Sequence, residues 1–208
     1  MTLSPRIRNL IFDLGEVIID LDIPGTINRF SERTGKSPQE VRDIYTSSQV
    51  FLDYEKGLIS DDAFHEGANR LFGSDLSREE FFMTWNGMLN RLPPERLTLL
   101  DELRPKYRVF LLSNTNALHV VAFDRMVAAI DPKRRMQDYV DHAYYSHLVK
   151  MRKPDAEIFQ LVLDEQRILP EESLFLDDNA DNIIGASALG IQTVRVTGPE
   201  VIFNLFRP

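Results

Sequence analysis

Short apolar runs of strand length alternate with segments of helical apolar spacing from Pro93 to the end of the sequence. The spacing predicts helices over residues 94–103, 117–130, 155–166 and 180–189, and strands over residues 107–112, 142–145, 173–176 and 193–196. A further apolar run at residues 9–12 predicts a first strand. Strands that alternate with helices form a parallel sheet whose faces are covered by those helices. The sequence therefore predicts an α/β fold.

The segment from residue 21 to residue 92 differs from the rest of the chain. It lacks apolar runs of the buried-strand type, and its helical patterns are broken near four glycines, Gly35, Gly57, Gly73 and Gly87. We predict that residues 21–92 form a small all-helical insertion after the first strand. The sheet-containing core then consists of residues 1–20 and 93–208.

Composition and charge exclude several classes of function. The formal net charge of -8 argues against binding to nucleic acids or anionic membranes, since both attract basic proteins. The chain has no cysteine, so it has no disulfide framework and no thiolate chemistry. No stretch approaches the roughly 18 apolar residues of a membrane span, and we see no secretory signal. We expect a cytoplasmic protein, and the sequence carries no indication of its oligomeric state.

Polar side chains that can take part in catalysis or ligand binding follow the predicted strands. Asp13 ends the first apolar run, Ser113 ends a later one, and Asp177 and Asp178 follow a third. Lys153 lies in the connection between two further elements. The carboxyl ends of parallel strands meet at one edge of a sheet, where α/β proteins bind ligands. These residues would supply a nucleophile, a hydroxyl donor, a cation and an acidic pair.

Three stretches of sequence carry a family resemblance, namely residues 12–15 (FDLG), 151–156 (MRKPDA) and 176–182 (LDDNADN). In type and order they resemble the haloacid dehalogenase superfamily, most of whose members are magnesium-dependent phosphohydrolases with a phosphoaspartyl intermediate. Within it they are similar to the bacterial glucose-1-phosphate phosphatase group. The resemblance implies a Rossmann-like parallel sheet core, with the helical insertion as a cap that covers the site and selects the substrate.

The resemblance implies that Asp13 is the nucleophile and that the protein binds Mg²⁺. A carboxylate would repel a phosphate dianion, so a divalent metal between them is needed. The carboxylates of Asp13 and Asp178 and the backbone carbonyl of Gly15 would form an oxygen-rich shell of the kind that magnesium prefers. Asp177 is either a further metal ligand or a residue that contacts the ligands without binding the metal itself. The alternative is that the two adjacent acids only cap a helix.

Three further residues are predicted to bind the phosphoryl group. Lys153 would neutralise charge on the phosphoryl group and on the aspartyl carboxylate, and Ser113 would hydrogen-bond the transferring oxygens. Asn114 is a weaker candidate, because asparagine at a strand end is commonly a turn former.

The sequence departs from the family pattern at two positions. Many members carry a second aspartate, the proton donor for the leaving group, where this chain has Gly15. Its loss argues against a phosphomutase and leaves Glu16, Asp20, Asp22 or a water molecule as proton sources. The second departure is Lys150, where the resembled group more often has glycine.

These features predict a magnesium-dependent phosphomonoesterase that acts on a small phosphorylated metabolite, such as the sugar phosphate glucose 1-phosphate. One alternative is a 2-haloacid dehalogenase, which needs neither metal nor acid, although Asp177 and Asp178 argue against it. Another is a binding or regulatory protein that keeps the phosphate site without turnover. In the insertion, Tyr54, Glu55 and Trp85 would either contact a sugar or serve packing and solvation.

Overall fold

The computed structural model describes residues 3–206, which form one α/β core and one helical insertion. The strands are β1 (Asn9–Phe12), β2 (Asp20–Leu21), β3 (Leu89–Arg91), β4 (Arg108–Ser113), β5 (His142–Tyr145), β6 (Ser173–Asp177) and β7 (Gln192–Arg195). The helices are α1 (Ile23–Thr34), α2 (Pro38–Ser47), α3 (Gln49–Glu55), α4 (Asp61–Phe72), α5 (Arg78–Asn86), α6 (Pro94–Leu103), α7 (Ala117–Ile130), α8 (Ser146–Val149), α9 (Ala156–Gln166), α10 (Ala180–Ala188) and α11 (Glu200–Phe206). The predicted core ranges also include residues 1–2 and 207–208, which lie outside the described part of the chain.

Five strands form a parallel sheet in the order β5-β4-β1-β6-β7, with β1 at its centre. Phe12 is level with Leu111 of β4 on one side and with Leu176 of β6 on the other. The chain continues from β1 to β4 and β5 on one side, and later to β6 and β7 on the other. This reversal opens a crevice at the carboxyl ends of the strands, which is where such sheets bind ligands.

Helices cover both faces of the sheet. Alternate side chains of β1 point to opposite faces, so Leu10 and Phe12 lie in one buried cluster and Ile11 in another. The first cluster includes apolar residues of α6, α7 and α11, and the second includes those of α9 and α10. The resulting three-layer arrangement is the α/β, Rossmann-like core that the sequence predicts.

The helices α1 to α5 form the insertion after the first strand and have an apolar core of their own. Their ends follow local capping chemistry: Ser37 with Glu40 and Ser77 with Glu80 form capping boxes. A short antiparallel ribbon of β2 and β3 lies at the base of the insertion. The prediction of an all-helical insertion therefore missed this ribbon, whose strands are too short to show a period of two.

The predicted and observed elements of the core agree closely. The bounds of β1, β5, α6 and α7 are those predicted from the apolar pattern. The bounds of α9, α10 and β6 differ by one residue at one end, and β4 and β7 are shifted by one residue at both ends. Within residues 3–206, no helix is both long enough and apolar enough to cross a membrane.

Candidate active site

The side chain of Lys153 bridges two carboxylates at the carboxyl edge of the sheet. Asp13 follows β1 and Asp177 ends β6, and the pairing of these strands places them side by side. The Nζ atom of Lys153 lies 2.7 Å from Asp13 Oδ1 and 2.6 Å from Asp177 Oδ2. All three residues are buried, with Lys153 only 1% exposed. The sheet thus brings three of the predicted site residues into direct contact.

Burial and charge shift the pKa values of this group. Burial raises the pKa of Asp13 to about 7, because desolvation outweighs the attraction of Lys153, and the nearby charge of Asp177 adds to the rise. Burial alone would lower the pKa of Lys153, but the two carboxylates outweigh it and the pKa is raised. Lys153 is therefore a cation at neutral pH, whereas Asp13 titrates near pH 7 when no metal is bound.

The carboxylate of Asp177 is fully occupied by protein donors. Oδ1 accepts hydrogen bonds from the backbone N–H of Asn179 at 2.8 Å and from Nδ2 of Asn182 at 3.1 Å. Oδ2 accepts from Lys153 and from the same Asn182 amide, at 2.6 and 3.0 Å. A carboxylate has about four lone-pair sites, so Asp177 has little capacity left for a metal. Its geometry is that of an anchor for Lys153.

Three carboxylates lie close together at the site, and two of them, Asp13 and Asp178, keep capacity for a hard metal ion. One oxygen each of Asp13, Asp177 and Asp178 lies within 4.8 Å of the other two. Asp178 is only half-buried, and burial together with the charge of Asp177 raises its pKa. The carbonyl oxygen of Gly15 accepts no hydrogen bond from residues 3–206, which leaves it available as a ligand. Carboxylate and carbonyl oxygens are the donors that Mg²⁺ selects.

Ser113 ends β4 and Asn114 follows it, and both line a cavity at the site. The Ser113 hydroxyl has no hydrogen-bond partner in the described part of the chain and is free for a ligand. The Asn114 side chain instead holds the backbone of Lys153, donating to its carbonyl at 2.8 Å and accepting from its N–H at 2.9 Å. Both ends of the Asn114 amide are thus used to position Lys153, whereas the sequence predicts that Asn114 binds phosphate.

This cavity lies between the sheet edge and the insertion and has a volume of about 110 Å³. Among the described residues that line it, Glu55 supplies the one carboxylate. Glu55 Oε2 contacts Arg152 Nε at 3.1 Å and Arg152 Nη2 at 3.0 Å. Burial raises the pKa of Glu55, and the charge of Arg152 opposes that rise. The remaining lining is mostly apolar.

The aromatic residues of the insertion divide between the cavity and the core. Tyr54 stacks on Phe64 and donates a hydrogen bond to Asp61 at 2.8 Å, so it serves packing and does not reach the cavity. Trp85 lines the cavity but is stacked on His119 and is 3% exposed. Tyr45 also lines the cavity, and the sequence analysis missed it. Tyr45 lies on α2 and Tyr54 on α3, and nothing in the local sequence indicates which of the two lines the cavity.

The candidate proton donors near Asp13 have different environments. Asp20 is paired with Arg96 at 2.5 Å and with Arg91 at 3.1 Å, and Asp22 caps α1. Glu16 accepts a hydrogen bond from the Leu21 N–H at 3.1 Å, and burial raises its pKa. Glu16 faces another cavity, of about 300 Å³, that is also lined by Asp178.

The structure shows the surroundings of the two positions at which the sequence departs from the family pattern. A Cβ atom at Gly15 would lie 2.9 Å from Leu21 Cδ1, so Leu21 occupies the space beside this position. Lys150 has a φ of 61°, in the left-handed region that favours glycine. Its Nζ atom donates a hydrogen bond to the carbonyl of Gly57, and this contact ties the insertion to the core.

Comparisons with known proteins agree with this geometry. Residues 7–190 match the family model of haloacid dehalogenase-like hydrolases. The chain is 32% identical over 190 residues to the D-ribitol-5-phosphate phosphatase of Bacteroides thetaiotaomicron, with 91% of each protein covered.

Solved structures show the same similarity. The magnesium complex of a HAD family enzyme from Bacteroides thetaiotaomicron superposes with a TM-score of 0.87 at 36% identity, covering 97% of this chain and 99% of that one. A second structure is that of an aspartate-to-alanine mutant of a HAD family enzyme from the same organism, in complex with magnesium and inorganic phosphate. It superposes with a TM-score of 0.84 at 34% identity, covering 97% of this chain and 100% of that one.

Proposed function

Because this chain belongs to the haloacid dehalogenase-like hydrolases, we propose that it is a magnesium-dependent phosphomonoesterase acting on a small sugar or polyol phosphate. The observation that carries the proposal is the bridge that Lys153 makes between Asp13 and Asp177, with Asp178 beside them. A cation held between buried acids at a sheet edge suits the binding of a phosphoryl group. The similarity to a ribitol-phosphate phosphatase favours this substrate class over glucose 1-phosphate in particular.

Asp13 is the nucleophile in this proposal. Its carboxylate oxygen attacks phosphorus, the bond between phosphorus and the ester oxygen breaks, and the leaving alcohol takes up a proton. Water then attacks the phosphorus of the aspartyl phosphate, which releases inorganic phosphate and restores the carboxylate. The position of Asp13 directly after the central strand, at the ligand-binding edge of the sheet, supports this role.

Asp13, Asp178 and the Gly15 carbonyl are the proposed magnesium ligands. When bound, the ion supplies positive charge that lets an anionic nucleophile approach an anionic phosphoryl group. Asp177 does not need to bind the ion, because its oxygens are occupied by Lys153, Asn179 and Asn182.

Lys153 and Ser113 bind the phosphoryl oxygens. Lys153 is already aligned by two carboxylates, so its ammonium group requires no reorganisation when charge develops in the transition state. Ser113 offers an unpaired hydroxyl at the end of the neighbouring strand. Asn114 acts on the phosphate through Lys153, whose backbone it holds on both sides.

The leaving alcohol must obtain its proton without an acid at position 15. Ion pairs and capping contacts occupy Asp20 and Asp22, which leaves Glu16 or a water molecule as the source. We propose that residues 21–92 form the cap and that residues 1–20 and 93–208 form the catalytic core. The cavity between them, at about 110 Å³, is smaller than the roughly 300 Å³ of typical drug-sized sites and suits a small leaving group.

The dehalogenase alternative is not favoured by the site. Asp13, Asp177 and Asp178 bring three carboxylates together, and the single ammonium of Lys153 does not balance their charge, so the site favours a bound cation that a dehalogenase does not need. The non-catalytic alternative is disfavoured by the intact set of nucleophile, cation and hydroxyl donor.

The test is phosphate release from a panel that contains ribitol 5-phosphate, glycerol 3-phosphate, glucose 1-phosphate and 5′-nucleotides, with magnesium and with chelator. We expect magnesium-dependent release that Asp13→Asn abolishes. Borohydride treatment during turnover should convert the aspartyl phosphate at position 13 to homoserine, which mass spectrometry would detect. Phosphate binding without release from any ester would support the non-catalytic alternative instead.

A further inference from the structure

The carboxyl end of α3, which carries Glu55, is held by the core of the protein and not by the insertion alone. The carbonyl of Glu55 accepts a hydrogen bond from the Ser146 hydroxyl at 2.6 Å. That same hydroxyl oxygen accepts a hydrogen bond from the N–H of Thr115 at 2.9 Å. Gly57, two residues later, approaches the carbonyl of His147 so closely that a Cβ atom would lie 2.2 Å from its oxygen. The position of Glu55 relative to the sheet edge is therefore well defined.

One oxygen of the Glu55 carboxylate is held, and the other is available. Two nitrogens of Arg152 contact Oε2, at 3.0 and 3.1 Å. Oε1 accepts no hydrogen bond from any residue in the range 3–206. The Glu55 side chain is 18% exposed and lines the cavity. A carboxylate oxygen in this position is an acceptor for a hydroxyl group of a bound ligand.

The other groups around the cavity do not supply a counter-charge for an anion. Burial lowers the pKa of His119 to about 4, so its ring is neutral at pH 7. The guanidinium of Arg152 is already engaged by Glu55, and Tyr45 is a neutral neighbour. A ligand carboxylate in the cavity would face the Glu55 carboxylate with no free cation in the described lining.

We propose that Glu55, positioned by Arg152, selects substrates whose leaving group is a neutral polyhydroxy alcohol and rejects those that carry a carboxylate. This inference rests on the proposed phosphatase function and specifies its substrate class. Glu55 accepts a hydrogen bond from a leaving-group hydroxyl, and Arg152 is a positioning residue that does not contact the substrate. Such discrimination operates on kcat/KM, because it is a difference in transition-state binding.

A matched pair of substrates tests the inference. Glycerol 3-phosphate and 3-phosphoglycerate differ only in a hydroxymethyl group against a carboxylate. We expect the native protein to prefer glycerol 3-phosphate by about 100-fold in kcat/KM, and Glu55→Gln to reduce that preference by about tenfold. Glu55→Asp keeps the charge, so it should keep the preference while raising the KM for glycerol 3-phosphate. Glu66→Gln makes the same chemical change at an exposed position of the insertion and should match the native protein.

The positioning role of Arg152 is tested by comparing the effects of its substitution on KM and on kcat. Arg152→Met should raise the KM for glycerol 3-phosphate several-fold with a smaller change in kcat, and Arg152→Lys should restore part of the loss. Equal losses on both substrates in Glu55→Gln, with an unchanged preference, would show a purely structural role and overturn the inference. If the native protein releases phosphate from neither these two esters nor the wider panel, the proposed function itself fails and the inference fails with it.

Discussion

Asn114 and Lys153 are joined by two reciprocal hydrogen bonds although they are 39 residues apart in sequence. The Asn114 amide donates to the Lys153 carbonyl at 2.8 Å and accepts from the Lys153 N–H at 2.9 Å. One side chain thus satisfies both backbone groups of the residue whose ammonium bridges Asp13 and Asp177. The end of β4 thereby sets the position of the buried cation.

Removal of the Asn114 side chain should impair both stability and turnover. Asn114→Ala loses two hydrogen bonds, each worth about 0.5–1.5 kcal/mol, so we expect a destabilisation of about 1–3 kcal/mol. A displaced Lys153 should also lower kcat by about tenfold to a hundredfold. Urea unfolding and phosphate release measure the two effects. Asn204→Ala, at an exposed position of α11, is the control and should change neither. Native kcat in Asn114→Ala would contradict the positioning role.

The buried cation should stabilise the fold as well as bind phosphate. Lys153→Met leaves Asp13 and Asp177 buried together without a counter-charge, and we expect a loss of about 3–5 kcal/mol in chelator. Adding Asp177→Asn should recover part of the stability but none of the activity, because only the charge imbalance is relieved. Lys106→Met changes an exposed lysine and serves as the control. A single mutant as stable as the native protein would show that the cation is not needed for folding.

The residues at the sheet edge were predictable because their positions depend on local sequence. An apolar run ends where a strand ends, so Asp13, Ser113 and Asp177 could be placed at strand termini without knowledge of the tertiary fold. A parallel sheet then brings these termini to one edge. The order of the strands was not predicted, since a pattern of apolar residues does not say which strands are neighbours.

The contacts between the insertion and the core were not predictable in this way. The pairing of Glu55 with Arg152 joins residues 97 positions apart and depends on how α3 packs beside α8. Tyr54 and Tyr45 have similar local sequence character, and only helix packing directs Tyr45 to the cavity and Tyr54 to the apolar core. The ribbon of β2 and β3 was missed because two- and three-residue strands have no readable periodicity.

The titration of Asp13 should make the metal-free protein less stable as the pH rises from about 4 to about 7. Its pKa is raised by burial from the ordinary 3.8 to about 7, so in this range the folded state binds more protons than the unfolded state. The contribution of Asp13 to the free energy of unfolding is therefore fully present below about pH 4 and is lost as the pH rises through about 7. Urea unfolding in chelator should show that the stability difference between native protein and Asp13→Asn shifts in favour of the mutant across this range. A difference that stays constant with pH would contradict the raised pKa.

Magnesium should stabilise the protein through Asp178 and not through Asp177. At a concentration 100 times the dissociation constant, a ligand that binds only the folded state adds about 2.7 kcal/mol. Asp178→Asn should lose this gain, yet in chelator it should be at least as stable as the native protein, because the pKa of Asp178 is raised by burial and by repulsion from Asp177. Asp177→Asn should instead destabilise the metal-free protein, since it weakens the anchor of Lys153. Thermal unfolding with magnesium and with chelator separates the two aspartates, and full magnesium stabilisation of Asp178→Asn would contradict its assignment as a ligand.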